Sequence, residues 1–465
     1  MPSTPPHWLN PGESFRSKAN LSGTRLTAVL GNHQQLANMN FSKPSPPAEI
    51  SETERVCIRK LVPFLLLLYV LAFIDRVNVG YAKHSFLHDT GLSEAAFAFG
   101  AGIFFLGYAL FEVPSNLIMH RVGARIWICR IMVTWGLIAT AMMFAHNEAT
   151  FYTLRFLLGV AEAGFFPGVI YYLTFWFPAN RLGLVLGLFY FGAPLAQIIG
   201  GPVSGLLLEF DQFAGLHGWQ WMFLIEGLAA VVAGIAVFFY LPSRPSEARW
   251  LDSSQKKTLL AAIAKNRKPV EAHASVFTTL RHPRILYFGF LYALIQMSVY
   301  GVIFYLPSQV AQLLGESAGF KVGMVSAIPW VCALAAAYQL PRLATRFNRS
   351  REIAAFAMFA ATIGIAFSSI SSPQLALLAM CVATAGFIGA QPIFWSFPAS
   401  ELTGAQAAGG IALINSLGAV GGFLAPNLKI WADKLLEIPW AGNLALASAS
   451  LLSAILFLRL KITAR

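Results

Sequence analysis

The chain has 465 residues, of which 57% are hydrophobic and only 12% charged, and its mean hydropathy is +0.62. Soluble domains carry roughly 25% charged residues, so a soluble fold is excluded and a polytopic membrane protein is required. A net charge of +12 would suit nucleic acid, but its distribution along the chain speaks for membrane topology and anionic lipid instead.

Residues 1–56 are polar, with Pro-Ser clusters such as SKPSPPAEIS. They lack the apolar core of a signal peptide and read as a disordered cytoplasmic tail. Met39 is a candidate natural start, which would leave residues 1–38 outside the natural protein. Crossing a bilayer as a helix takes about 20 apolar residues. Twelve such stretches follow: 61–81, 96–118, 125–146, 150–174, 182–207, 220–241, 285–307, 322–342, 352–371, 375–397, 406–430 and 439–460. Backbone polar groups in lipid must be satisfied within a segment, so these are helices. The alternation of a barrel is absent. The expected class is therefore an all-α membrane protein with two six-helix bundles, 57–241 and 285–465, joined by a cytoplasmic linker, 242–284. Within the linker SSQKKTLLAAIAKN allows a surface helix, though the segment reads as a solvated connection rather than a lipid-bound face.

With both termini in the cytoplasm, the outer loops hold only Lys83, Lys321, Lys429 and Lys434 among the 33 lysines and arginines. This asymmetry is the positive-inside rule. Cys57, Cys129, Cys332 and Cys381 are far apart and read as reduced packing residues, without a disulfide or metal signature. His84, His88, His146 and His217 fall at outer ends without metal-ligand spacing. Runs such as GGPVSG and GAVGG let membrane helices approach closely.

Four charges interrupt otherwise apolar spans. Asp75 and Arg76 lie in YVLAFIDRVNVGYA of span 1, and Arg155 and Glu162 in LRFLLGVAEAGFF of span 4. A charge at bilayer depth costs about 3 kcal/mol on insertion scales, so such residues face a protein interior or a wet cavity and mark ion or solute paths. Arg155 and Glu162 are seven apart, nearly two turns, and share one face. With the acids ionised the four charges cancel. With both acids protonated the site is doubly positive and attracts a carboxylate. Asp75 and Glu162 are thus the expected proton carriers, and Arg76 and Arg155 the anion binders. Arg76 is the foremost carboxylate clamp, because guanidinium binds carboxylates bidentately. The competing reading is a pair of structural ion bridges, Asp75–Arg155 or Arg76–Glu162. Glu112 and Glu226 read as structural: a cap or gate contact, and a packing pair.

The halves carry a weak internal repeat. Trp176-Phe177-Pro178 closes span 4, and Trp395-Ser396-Phe397-Pro398 closes span 10. Gly200-Gly201-Pro202 in span 5 is matched by Gly421-Gly422 and Pro426 in span 11. Repeated bundles place a solute site at midplane, with alternating access by rocking, as in the major facilitator fold. The strings FIDRVNVGYAK, GAGIFFLGYALFEVPSNL, RFLLGVAEAGFFPGVIYYL, WMFLIEG, YGVIFYLP and GGIALINSLGAVGGFLAP resemble the anion:cation symporter family of that superfamily. LGLFYFGAPLA, IPWVCAL and IGAQPIFWSFP resemble its bacterial L-rhamnonate permease branch.

The resemblance implies a monomeric, proton-coupled importer of a small organic anion, a sugar acid such as L-rhamnonate, in the bacterial inner membrane. The alternatives are an importer of aromatic acids or dicarboxylates, or a non-transporting sensor. No enzyme motif and no cofactor are expected. Tyr108, Trp395 and Asn415 fall where family members contact hydroxylated acids, with Gln197, Gln296 and Tyr300 as a secondary set. The resemblance departs at the cytoplasmic gate. NLIMHRVGAR carries Asn116 and His120 where Gly and Asp are usual, and PRLATRFNRSR carries Thr345 where Asp is usual. Of the gate arginines Arg121, Arg125 and Arg346, Arg121 and Arg346 are expected to lack those partners.

Overall fold

The computed structural model describes residues 51–265, 282–369, 372–401, 404–438 and 440–460. Among them twelve helices are long and apolar enough to cross a membrane. They are α1 (Glu52–Thr90), α2 (Glu94–Val122), α3 (Ala124–Ala141), α4 (Glu148–Glu162 and Phe165–Leu173), α5 (Ala179–Tyr190 and Gly192–Leu208) and α6 (Gly218–Tyr240). After the linker come α7 (Pro283–Ile303 and Leu306–Leu314), α8 (Phe320–Phe347), α9 (Ser350–Phe367), α10 (Pro373–Glu401), α11 (Gly404–Leu436) and α12 (Ala441–Arg459).

Three of the twelve are broken, and each break lies four residues before a proline. A proline ring clashes with the carbonyl four residues back and offers no N–H to it. Pro167 thus acts on Ala163, Pro194 on Tyr190 and Pro307 on Ile303. In α4 the break is sharpest: Ala163 turns to ψ 130 and Gly164 takes φ 87. That left-handed backbone favours glycine. A side chain there would also meet Ser115 of α2. The continuous span expected over 150–174 is therefore corrected to two helices, with Glu162 the last residue of the first.

Two further expectations change. Residues 52–56 belong to α1 rather than to a tail. Glu52 and Glu54 occupy its first turn, where acidic side chains suit the helix dipole. Glu54 also pairs with Arg181 at 3.5 Å, tying the start of α1 to the start of α5. The rest of the tail, Met39 included, lies outside the described residues. In the linker, Ser253–Lys265 is a helix. Gln255 N donates to Asp252 at 2.7 Å, and Asp252 N donates to the Gln255 side chain at 3.1 Å. This reciprocal cap, with Leu259 buried beneath it, gives a docked element in place of a plain solvated connection. Residues 266–281 lie outside the description.

The helix pairings repeat along the chain. In the first half α1 packs on α5, α2 on α4 and α3 on α6; in the second, α7 packs on α11, α8 on α10 and α9 on α12. The halves meet along two main seams, α2–α11 and α5–α8, and α1 also touches α7. The α5–α8 seam is backbone on backbone. A Cβ on Gly201 would lie 2.9 Å from the Gly323 carbonyl, and one on Gly205 would strike that of Gly319. Glu209 adds a cross-seam bond, its Oε1 accepting from Phe320 N at 2.8 Å. This seam lies at the end of the bundle remote from the start of α1.

Candidate functional site

A cavity of about 470 Å³ lies between the halves. Its wall includes Arg76 of α1, Tyr108 of α2, Gln197 of α5, Gln296 and Tyr300 of α7, and Asn415 of α11. Six of the ten residues expected to bind solute or protons therefore converge on it.

Arg76 is 8% exposed and is the centre of the arrangement. Its Nη2 bonds and ion-pairs with Glu162 at the break of α4. Its Nη1 donates to the Tyr300 hydroxyl at 3.0 Å. The guanidinium also lies over the rings of Phe73 at 4.8 Å and Tyr108 at 5.3 Å. One cation thus joins α1 and α4 of the first half to α7 of the second. Glu162 is 1% exposed and stands behind Arg76, with its Oε2 unpartnered. Gln197 Nε2 and Gln296 Oε1 are likewise buried without a protein partner. They leave one donor and one acceptor on the wall for a solute.

The other expected residues sit elsewhere. Arg155 is fully buried in the α2–α4 seam, where Nε and Nη2 each donate at 3.3 Å to the carbonyls of Gly100 and Ala101. It is not among the residues that line the cavity. Asp75 turns away from the cavity, and its Oδ2 accepts from Trp135 Nε1 of α3 at 2.6 Å. Neighbouring helix residues differ by about 100° around the axis at 3.6 residues per turn, so Asp75 and Arg76 point to different neighbours. Trp395 packs edge-on behind Tyr292 at 4.9 Å, and it is Tyr292 that reaches the wall. Of the two structural pairings weighed, Arg76–Glu162 forms; Asp75–Arg155 does not.

Glu226 accepts from Asn78 Nδ2 at 2.9 Å and Ser204 Oγ at 2.7 Å, a buried tie between α6, α1 and α5. Glu112 bridges the halves: Asn415 Nδ2 and Ser416 Oγ of α11 donate to its two oxygens at 2.6 and 2.9 Å. At the end where α1 begins, Arg121 and Arg346 are exposed, and neither forms an ion pair among the described residues. Arg346 lies over Phe347 and Arg125 over Phe238. Arg342 was missed by sequence reasoning. It lines the cavity and lies 3.5 Å from the centre of the Tyr338 ring. The four-residue Tyr338–Arg342 spacing was a usable signal, hidden by ending span 8 at 342.

Residues 65–426 match the Major Facilitator Superfamily. The chain belongs to that superfamily. It is a multi-pass membrane transporter and not an enzyme. It is 46% identical over 403 residues to the inner membrane transport protein RhmT of Escherichia coli (strain K12), covering 87% of this chain and 94% of that one. It is 41% identical over 420 residues to a protein of Agrobacterium vitis provisionally named a tartrate transporter, covering 89% and 96%. A bacterial homologue of the human lysosomal transporter Spinster, solved inward-facing and unoccupied, matches with a TM-score of 0.64 and 17% identity over 88% of this chain and 96% of that one. That likeness concerns the fold alone.

Proposed function

We propose that this facilitator imports a small organic anion together with protons, by alternating access. The observation that carries the reading is Arg76 on the cavity wall, held from behind by Glu162 and from across the halves by Tyr300. While Glu162 is ionised, its carboxylate occupies Arg76. A proton on Glu162 weakens that pairing and frees the guanidinium for a solute carboxylate, which it can bind bidentately. When the solute leaves, Arg76 pairs with Glu162 again and favours release of the proton. Solute and proton are then bound together and released together. Asp75 has no cation partner among the described residues and is the second proton carrier in this reading.

The cavity falls within the ~300–1,000 Å³ typical of small-molecule sites, and its neutral donors and acceptors suit a hydroxylated acid, of the sugar-acid class that includes L-rhamnonate. The positive-inside asymmetry supports cytoplasmic termini, and the inner-membrane location named for RhmT supports the same for this chain. Arg342 supplies a second cation to the cavity. That favours a dicarboxylate as the second reading, in keeping with the name of the Agrobacterium relative. Thermal shifts against sugar acids, aromatic acids and dicarboxylates rank the classes. The coupling test is Glu162→Gln in proteoliposomes. It should lose accumulation driven by a pH gradient, by about tenfold or more given the charge-assisted bond it replaces, and keep solute counterflow. Accumulation at the wild-type level would reject the assignment.

A further inference from the structure

Asn415 faces the cavity from α11, yet its amide is already engaged. Nδ2 donates to Glu112 Oε1 at 2.6 Å, while Ser416 Oγ donates to Oε2 at 2.9 Å. Glu112 is fully buried on α2, one turn beyond Tyr108, which also lines the cavity. A carboxylate offers acceptors only, whereas an asparagine amide has a donor edge and an acceptor edge. With Glu112 ionised, the contact therefore fixes which edge of the amide faces it. No bond to Asn415 Oδ1 forms among the described residues, and the residue is half-buried at the wall.

We propose that Glu112 is a positioning residue that holds the Asn415 NH2 toward α2 and turns the amide oxygen to the cavity, where it accepts a hydrogen bond from a substrate hydroxyl. This rests on the organic-anion reading and deepens it. The work divides between two charged groups of the first half. Arg76 takes the carboxylate. Glu112, without touching the solute, makes Asn415 an acceptor that a second carboxylate cannot use. The substrate class is then an acid that carries a hydroxyl apart from its carboxylate, and an analogue lacking that hydroxyl leaves Oδ1 unpaired. Sites that hydrogen-bond a substrate hydroxyl discriminate strongly against the analogue without it.

Two hydroxyl-deletion series provide the probes: L-rhamnonate with its monodeoxy analogues, and tartrate, malate and succinate. Affinities are read by thermal shift and by competition in uptake, for the wild type, Glu112→Gln and Asn415→Ala. A glutamine at 112 can donate as well as accept, so either orientation of the Asn415 amide is satisfied. The wild type should prefer the hydroxylated member of a series over one deletion analogue by about tenfold or more. Glu112→Gln should bring that ratio to within about threefold of unity, as should Asn415→Ala, and Glu112→Gln added to Asn415→Ala should leave the ratio where it is. Asn415→Ala leaves Glu112 in place and guards against a folding defect in the first variant. If Glu112→Gln weakens every acid equally with the ratio intact, Glu112 is an inter-half tie and the inference fails. A wild type without hydroxyl preference also overturns it. A wild type that binds neither series overturns the hydroxy-acid class, and one that binds no organic acid, aromatic acids included, overturns the organic-anion reading itself.

Discussion

Asp75 and Arg76 are neighbours in sequence with opposite tasks. Arg76 reaches the cavity and Glu162, while Asp75 is bonded to Trp135 inside the first half. An asparagine at 75 keeps an oxygen for the Trp135 N–H but removes the ionisable carboxyl. We expect Asp75→Asn to fold with an unchanged melting midpoint, to lose gradient-driven accumulation and to retain exchange. Full accumulation would reduce Asp75 to a packing contact. The sequence showed that these charges needed a protein environment, because lipid penalises them. It did not show which faced the solute, because periodicity defines a helix face without naming what lies opposite. Arg155 illustrates the gap. Its shared face with Glu162 was legible, but the carbonyls of Gly100 and Ala101 that absorb its donors belong to a different helix.

At the scale of elements, the break in α4 delivers Glu162 to Arg76. Gly164 at φ 87 makes the turn, and Gly164→Ala would force a residue with a Cβ into that conformation and against Ser115. Backbone strain of this kind costs about 1–3 kcal/mol, so the thermal midpoint in detergent should drop by several degrees and solute affinity should fall with it. Unchanged stability would mean the turn relaxes without loss. Gly164 and Pro167 were visible in the sequence as breaker signals. The apolar run carried through them hid the break, since hydropathy reports depth in the membrane and not continuity of the helix. The twelve spans themselves were legible for the converse reason: depth alone decides them.

For the whole molecule, the repeat of prolines and glycines anticipated the repeated pairings, α1–α5 with α7–α11 and α2–α4 with α8–α10. The seam between α5 and α8 was not anticipated, because close backbone contact needs glycine on both sides and the sequence does not say which glycines meet. Gly201 and Gly205 lie against Gly323 and Gly319 there. If rocking opens this end, a bond across the seam must stop the cycle. Cysteines replacing Glu209 and Gly319, where a Cβ on Gly319 would lie 3.6 Å from Glu209 Cγ, oxidised to a disulfide, should reduce counterflow to background, and reductant should restore it. Full exchange in the oxidised protein would place the moving seam elsewhere.

The length of α1 sets the proportions of that motion. Its 39 residues run without a break from Glu52 to Thr90, and at Gly80 the helix presses on α7, where an added Cβ would lie 3.1 Å from the Phe304 carbonyl. Taking that contact as a fulcrum, the arms measure roughly 42 Å toward Glu52 and roughly 15 Å toward Thr90 at 1.5 Å per residue. A tilt of about 5° would sweep about 4 Å at the long arm and about 1 Å at the short one. Arg76, one turn from the fulcrum, would scarcely move. On such a pivot the transporter would be geared unequally: a wide mouth on the side of the termini, a narrow one opposite, and a nearly stationary cation where the solute is held.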